Sequence, residues 1–308
     1  MLNDYYQNIG KKEYFRRYGA VNGIRRGLFT GSPVHVVPDY EIRKVLWQKE
    51  ALKKVGKFYR YKNVYPDGLK YGRKTPDNPV WVFWDSGLEN APEIIQRCFE
   101  SVEKFSGREV ILLTTENVRD FVRFPDYITW RAGKKEIPLA HYSDLLRFSL
   151  LAHYGGTWMD ATVYLTGKIP GPILEGDLFL FRNQLGLLDN PVLYPVWLMH
   201  SSPGHEIMRE IRNIEFAYWT QEKHPIEYLI SNLIIRTVMD HHPDEEKEIP
   251  YMTTDYSEYL VRVLPEDFTR QRAEWIKGLT PIHKLTYKLD PAIDREGSIY
   301  RSILDRTF

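Results

Sequence analysis

Residues 137–166 read IPLAHYSDLLRFSLLAHYGGTWMDATVYLT, and this stretch combines a helical pattern with a strand pattern. Its first half has apolar residues at helical spacing, and Ser143 is placed to cap the helix N-terminus through its hydroxyl. The pair Gly155-Gly156 follows and predicts a helix end that needs positive φ. A β-prone run containing Asp160 comes next. Helix, turn and strand in succession are typical of α/β folds.

Three charged side chains of this stretch are candidates for binding a ligand. Asp144 and Arg147 are three residues apart, so they share one face of the predicted helix near its N-terminus. Asp160 lies on the strand that follows. Two carboxylates and a guanidinium on neighbouring elements suit a polar ligand held between them.

The α/β pattern continues on both sides of this stretch. Residues 80–84, VWVFW, and 109–114, EVILLT, predict two buried strands, and a helix from Pro92 to about residue 105 lies between them. Strand, helix and strand at this spacing predict parallel pairing through a right-handed crossover. Further elements are predicted as a strand at 177–181 and helices near 205–219 and 225–241.

The composition is that of a globular protein of 308 residues, with 43% apolar and 27% charged residues. The single Cys98 excludes a disulfide framework and suits a reducing compartment. No apolar run reaches the roughly 18 residues of a membrane span, and the N-terminus lacks the apolar core of a secretory signal. These features predict a cytoplasmic protein.

The charges are distributed unevenly between two predicted regions. Residues 1–75 contain 17 Lys and Arg against 6 Asp and Glu, while the rest contains 25 against 35. The segment 65–79, YPDGLKYGRKTPDNP, reads as a linker, so we predict a basic helical accessory region at 1–76 and a main domain at 77–308. The basic region suggests peripheral contact with an anionic surface, such as the inner face of the plasma membrane. Alternatively, it packs against the acidic body.

Polar and aromatic side chains follow three predicted strands, where ligands bind in open α/β sheets. Trp84 and Asp85 end the first strand, Asn117 follows the second, and Asp160 with Thr162 follows the third. Trp84 could stack on a base or belong to the core. Asn117 could bind the edge of that base or cap the next helix. Asp160 and Thr162 offer oxygen ligands that suit Mn²⁺ or Mg²⁺.

Several motifs of other functional classes are absent from the sequence. It contains no GxGxxG, no GxxxxGK[ST], no HExxH, no Cys/His cluster at zinc spacing and no GxSxG. Their absence disfavours dinucleotide binding, P-loop chemistry, zinc hydrolysis and an α/β-hydrolase nucleophile. Nothing in the sequence indicates nucleic-acid binding.

The segment HYSDLLRFSLLAHYGGTWMDATVYL (141–165) resembles the motif of the capsular polysaccharide synthesis family, which is related to glycosyltransferases with a DXD sugar-binding region. The match includes every fixed position from Ser143 to Asp160. Further segments resemble other landmarks of this family, so the resemblance covers about 78–290; they are 80–102, 109–128, 201–208 and 281–288.

The resemblance implies a GT-A-like, Rossmann-related mixed sheet flanked by helices, with a helical N-terminal appendage and a helical C-terminal part. It also implies a nucleotide-sugar donor and a glycan or lipid-linked acceptor. Asp144 and Arg147 correspond to the pair that holds the donor, beside Ser143, and Asp160 to the first metal-binding carboxylate. Trp84 corresponds to the aromatic residue that stacks on the base; Asp85 lies beside it, and Asn117 corresponds to a polar base contact. His283 corresponds to a late metal or phosphate contact, although a structural role is equally compatible.

Thr162 departs from a strict DXD motif, because a neutral hydroxyl replaces the second carboxylate. Fewer ligand charges weaken metal binding, so Mn²⁺ or Mg²⁺ would depend on the nucleotide diphosphate or on His283. The resemblance implies a retaining, metal-dependent glycosyltransferase of capsular or surface polysaccharide synthesis. The alternatives are a catalytically silent relative that acts as an assembly factor, and a nucleotidyl or phosphoryl transferase.

Overall fold

The computed structural model describes residues 11–30, 40–183 and 189–308. Nine strands are present in these ranges: β1 (Lys70–Tyr71), β2 (Val80–Phe83), β3 (Val110–Leu113), β4 (Val122–Arg123), β5 (Gly156–Met159), β6 (Val163–Leu165), β7 (Leu178–Leu180), β8 (Leu198–Ser201) and β9 (Ile282–Lys284).

The helices lie before, between and after the strands. They are α1 (Lys11–Thr30, kinked at Gly19), α2 (Tyr40–Val55), α3 (Glu93–Phe105), α4 (Val118–Phe121), α5 (Asp126–Gly133), α6 (Leu139–Tyr154), α7 (Gly171–Leu174), α8 (Glu206–Gln221), α9 (Ile230–Met239), α10 (Pro243–Glu248), α11 (Tyr259–Val263), α12 (Arg270–Leu279) and α13 (Ile299–Leu304). In the part of the chain that the structure covers, none of them is long and apolar enough to cross a bilayer.

A five-stranded mixed sheet in the order β3-β2-β5-β8-β7 forms the centre of the molecule. Strands β3, β2 and β5 are parallel, whereas β8 and β7 pair antiparallel. Side chains on the two faces of the sheet belong to two separate buried clusters, which helices cover. The mixed α/β class is therefore confirmed, and so is the parallel pairing of the two strands predicted at 80–84 and 109–114, which are β2 and β3.

Helix α6 begins five residues before the position that the sequence predicted. Pro138, not Ser143, is the N-cap residue, and its carbonyl accepts the N–H of Tyr142 at 3.0 Å. The prediction of Ser143 as a cap was therefore wrong. Proline has a fixed φ and no N–H of its own, so it can precede a first turn without losing a hydrogen bond. Ser143 instead lies inside the helix, one turn before Arg147.

The predicted turn after α6 requires both glycines. Gly155 and Gly156 have φ of 69° and 93°, which side-chain-bearing residues rarely adopt. A Cβ at Gly155 would lie 2.6 Å from the backbone nitrogen of Pro203, and one at Gly156 would lie 2.3 Å from the carbonyl oxygen of Pro79. The pair therefore leads the chain from α6 directly into the centre of the sheet.

The N-terminal helices pack on the body of the protein. Trp47, Ala51 and Val55 of α2 belong to the same buried cluster as residues of α6, α8 and α9. Arg26 of α1 forms a buried ion pair with Glu227 at 3.3 Å. The predicted packing of basic residues against the acidic body is thus seen at this pair. The predicted division at residue 76 remains a prediction, and residues 1–10 and 31–39 of the accessory region lie outside the described ranges.

Candidate active site

Four of the predicted site residues lie at one edge of the sheet. Strand β2 pairs in parallel with β3 on one side and with β5 on the other, so the carboxyl ends of all three strands lie together. Trp84 and Asp85 follow β2, Asn117 follows β3, and Asp160 follows β5. The structure therefore places these side chains at the edge where open α/β sheets bind ligands.

Four side chains of alternating charge form a continuous series across this edge, called here the charge chain: Asp144, Arg147, Asp160 and Lys284. Arg147 Nη2 lies 3.2 Å from Asp144 Oδ1 and 3.3 Å from Asp160 Oδ1. Lys284 Nζ lies 2.9 Å from Asp160 Oδ2. Helix α6, the end of β5 and strand β9 each contribute to it, so the chain depends on the tertiary fold.

Arg147 links the two carboxylates from a buried position. Its Nη1 donates to the carbonyl of Val196, and its Nη2 lies 3.3 Å from Ser143 Oγ. The guanidinium also lies over the Trp158 ring, 4.8 Å from the centroid. Only 5% of the side chain is exposed. Protein groups therefore occupy most of its five N–H donors, and the structure gives Arg147 the geometry of a positioning residue.

The open end of the charge chain consists of Asp160, Lys284 and Thr162. The Asp160 side chain is 28% exposed and that of Lys284 is 23% exposed. Lys284 Nζ also donates to Thr162 Oγ1, so the ammonium bridges the aspartate and the threonine. Burial acts to raise the pKa of Asp160, but the charges of Lys284 and Arg147 hold it below the usual value.

The buried end of the charge chain surrounds Asp144. Ser231 Oγ of α9 donates to Asp144 Oδ2 at 2.9 Å. His141 Nδ1 lies 3.4 Å from the same oxygen but is poorly aligned, and neither ring nitrogen has a hydrogen-bond partner among the described residues. The carboxylate of Asp144 is thus enclosed by protein.

A second carboxyl group, Glu215 of α8, lies at this buried end. It is fully buried, and within the described ranges neither of its oxygens has a hydrogen-bond partner. The hydroxyl of Ser231 has one proton, which it donates to Asp144, so it cannot serve both carboxylates. Burial, with the negative charge of Asp144, raises the pKa of Glu215 to about 8. Both effects favour the protonated form of Glu215.

The aromatic side of the site consists of Trp84 and Tyr287. Their rings meet edge to face with centroids 5.2 Å apart, and Tyr287 is 40% exposed. Trp84 is partly buried, packs against the core, and its Nε1 has no hydrogen-bond partner in the described part of the chain. Trp84 therefore contributes to the core, and its stacking on a base remains a prediction.

Asn117 holds the loop after β3. Its Oδ1 accepts the N–H of Thr114 at 2.8 Å, and its Nδ2 donates to the carbonyl of Leu112 at 2.9 Å. It is the N-cap residue of α4, but its side chain makes no capping hydrogen bond. Its predicted contact with a base remains a prediction.

His283 points away from Asp160. It precedes Lys284 in β9, and neighbouring residues of a strand face opposite sides. Its Nε2 contacts Thr166 Oγ1 at 3.1 Å, the side chain is fully buried, and burial lowers its pKa to about 4. The structure therefore brings Lys284, rather than His283, into contact with the motif residues Asp160 and Thr162.

The residues present do not fit a divalent cation as they are arranged. Across residues 11–30, 40–183 and 189–308, no three His, Cys, Asp or Glu side chains are grouped to hold a metal ion. Asp160 directs one oxygen to Lys284, and its other oxygen receives Arg147 and Trp158 Nε1, the latter at 3.0 Å. A cation at this carboxylate would have to displace an ammonium and approach a guanidinium.

Sequence reasoning missed four residues of the site: Lys284, Tyr287, Ser231 and Glu215. Lys284 and Tyr287 are in the segment PIHKLTYK that was already matched to the family, so a signal for them existed. Ser231 and Glu215 are in two amphipathic helices, where no motif marks them. Only the packing of α8 and α9 beside α6 brings Glu215 and Ser231 close to Asp144.

Residues 35–303 match the family described as capsular polysaccharide synthesis protein. The chain belongs to this family. The match begins inside the predicted accessory region, so the family relationship includes α2 as well as the sheet.

Two glycosyltransferases are among the similar curated proteins. The chain is 25% identical to the glycosyltransferase afumC of Aspergillus fumigatus in an alignment 217 residues long that covers 60% of this chain and 51% of that protein. It is 27% identical to the O-glycosyltransferase braB of Annulohypoxylon truncatum in an alignment 144 residues long that covers 44% of this chain and 32% of that protein. The chain thus spans about half or less of the length of these relatives.

Two solved glycosyltransferase structures are distantly similar. PaToxG glycosyltransferase has 14% identity and a TM-score of 0.39, covering 86% of this chain and 98% of that one. GlyE of Streptococcus pneumoniae TIGR4 has 9% identity and a TM-score of 0.38, covering 75% and 63%. TM-scores this low carry no conclusion about site geometry.

Proposed function

We propose that this protein is a glycosyltransferase that moves a sugar from a nucleotide-sugar donor to a glycan or lipid-linked acceptor in capsular or surface polysaccharide synthesis. The observation that carries the proposal is the charge chain. It is built from the family motif, ends in a partly exposed Asp160–Lys284 pair, and lies at the carboxyl ends of parallel strands beside Trp84. The similar curated glycosyltransferases support the same reaction class.

The reaction breaks the bond from the sugar's anomeric carbon to the diphosphate and forms a bond from that carbon to the acceptor oxygen. The diphosphate leaves with the electron pair of the broken bond, and the proton of the acceptor hydroxyl passes to the departing diphosphate or to water. Positive groups that face the departing diphosphate stabilise the transition state. Asp160 and Lys284 are accessible enough to face the donor, whereas the burial of Asp144 and Arg147 favours a role in holding Asp160 in place.

The experiment is a turnover assay on a panel of nucleotide sugars chosen by thermal shift. We expect release of nucleoside diphosphate with one donor, and a loss of roughly a hundredfold or more in Asp160→Asn. Asp305→Asn is the matched control, because Asp305 is an exposed carboxylate on the last turn of the chain. Donor binding without any turnover would instead favour the catalytically silent alternative.

Retention of the anomeric configuration is a further part of this proposal. It rests on the resemblance of the Ser143–Arg147 motif to retaining relatives. NMR of the product decides it, because an α-linked donor should give an α-linked product. A β-linked product would assign an inverting reaction.

We also propose that the N-terminal helices contact an anionic membrane surface. Several apolar side chains of α1 and α2 are exposed, including Leu28 at 79% and Ile24 at 54%, near the exposed Arg25. A cavity of about 530 Å³ beside them is lined by four Lys and Arg residues and, in the described part of the chain, by Glu222 as its one acidic residue. Basic and apolar groups together suit anionic headgroups.

Sedimentation with phosphatidylglycerol liposomes tests this contact. Deleting residues 1–75 would remove core residues of α2, so point substitutions are the cleaner choice. We expect Ile24→Asp combined with Leu28→Asp to lose sedimentation while keeping donor turnover. Tyr256→Asp, at an exposed site outside these helices, should sediment like the wild type. Equal sedimentation of all three proteins would count against the contact.

A further inference from the structure

Lys284 lies against two residues to which the family resemblance assigns a divalent cation. Its Nζ contacts Asp160 Oδ2 at 2.9 Å and Thr162 Oγ1, the two motif residues from which metal ligands were predicted. An ammonium that bridges a carboxylate and a hydroxyl satisfies both groups. The strand β9 supplies it, and the pairing of Val163 with Lys284 fixes its register against β6.

The substitution of a carboxylate by Thr162 is consistent with an ammonium at this position. A divalent cation binds better as carboxylates are added. An ammonium has a single positive charge, which Asp160 balances. Its other N–H groups require only hydrogen-bond acceptors, such as a hydroxyl oxygen. Asp160 and Thr162 are therefore better ligands for the ammonium of Lys284 than for Mn²⁺ or Mg²⁺.

The cationic side chains around Asp160 also disfavour a divalent cation at this carboxylate. Arg147 lies 3.3 Å from the other oxygen of Asp160, so this carboxylate already faces two cationic side chains. A divalent cation bound there would be repelled by both. Loss of Lys284 from the carboxylate would also leave its ammonium in a partly buried place without its partner.

The ammonium also retains a donor for a ligand. Asp160 and Thr162 use two of the three N–H groups of Lys284, and the side chain is 23% exposed. Among the described residues the third N–H has no partner, so it can donate a charge-assisted hydrogen bond to a phosphate oxygen. Trp84 and Tyr287 lie at the same sheet edge to receive a base.

We propose that Lys284 replaces the metal ion in this protein, so that a nucleoside diphosphate binds through its diphosphate to Lys284 without a divalent cation. The inference rests on the proposed function, since it names the group that receives the diphosphate of the donor. Asp160 then orients Lys284. The positive charge that stabilises the leaving diphosphate comes from this side chain instead of a bound metal ion.

Calorimetric binding of UDP, GDP, ADP and dTDP, each with EDTA and with Mn²⁺, tests the inference on the wild-type protein. We expect at least one nucleoside diphosphate to bind with the same affinity, within about twofold, in both conditions. Lys284→Met should weaken that binding about tenfold to a hundredfold, the usual effect of losing a charged hydrogen bond. Lys277→Met is the matched control, because Lys277 is a surface residue paired with Glu274.

Direct Mn²⁺ binding, followed by electron paramagnetic resonance without nucleotide, gives a second readout. We expect no tight site in the wild type and a new one in the double variant Thr162→Asp, Lys284→Met, which restores two carboxylates and removes the ammonium. Nucleotide binding that requires Mn²⁺ in the wild type, or that persists unchanged in a folded Lys284→Met, would overturn the inference alone. Failure of all four nucleotides in both conditions would overturn it together with the proposed function.

Discussion

The two ends of the charge chain contain similar residues in different surroundings. At the buried end, Asp144 is enclosed by Ser231, Glu215 and His141, and several polar atoms there have no hydrogen-bond partner among the described residues. At the open end, Asp160 pairs with a partly exposed ammonium, one N–H of which has no partner in the described part of the chain. The difference indicates that the buried end holds the geometry and the open end meets the ligand.

Removing the link between the ends should have the largest effect. Arg147→Met would leave both Asp144 and Asp160 without their guanidinium, and Asp144 is buried. Breaking a buried ion pair from one side costs about 3–5 kcal/mol, so we expect the free energy of unfolding to fall by that amount in urea titrations. Arg272→Met, which removes an exposed pair with Glu266, should change it by less than about 1 kcal/mol. If both variants lowered the free energy of unfolding equally, the buried and exposed ion pairs would not differ in their contribution to stability.

The buried end should also give the protein a pH-dependent stability. The folded pKa of Glu215 is about 8 against a usual 4.5, so the folded state holds a proton that the unfolded state releases between these values. The stabilising contribution is complete below about pH 4.5 and is lost as the pH rises through about 8. Glu215→Gln, which mimics the protonated group, should flatten this fall in urea titrations from pH 5.5 to 8.5.

A matched control for this titration is Glu222→Gln, since Glu222 is an exposed carboxylate just after the same helix. It should reproduce the wild-type dependence on pH. If Glu215→Gln and the wild type lose stability in parallel, the proton is not held at Glu215.

The smallest effect is expected at His283, the neighbour of Lys284. His283→Gln removes the contact with Thr166, so it should lower the free energy of unfolding by about 0.5–1.5 kcal/mol. Because His283 faces away from Asp160, nucleoside diphosphate affinity should stay within about twofold of the wild type. A loss of binding as large as in Lys284→Met would show that His283 contributes to the diphosphate site.

The strands of the sheet edge and the motif residues could be predicted because each has a local signal. The run VWVFW identifies β2, the Gly155-Gly156 pair identifies the turn into β5, and Asp160 follows directly. Strand β8 was missed because its residues, LMHS, have no β-prone run or alternation. Its place between β5 and β7 is decided by antiparallel pairing at a distance along the chain.

The partners of the motif could not be predicted from the sequence. The face on which His283 or Lys284 lies depends on the register of β9 against β6, and a shift of one residue would exchange them. The family resemblance pointed to His283 as a late metal or phosphate contact, and it did not single out Lys284. Glu215 and Ser231 meet Asp144 only through helix packing, which the helical pattern alone does not specify.

A crystal structure of the protein with a bound nucleoside diphosphate, grown without divalent cations, tests the central claim most directly. We predict a diphosphate oxygen within about 3 Å of Lys284 Nζ, Asp160 still paired with that ammonium, and the base beside Trp84. A diphosphate bound away from Lys284, or a complex that forms only when a metal ion bridges Asp160 and the phosphates, would contradict the account.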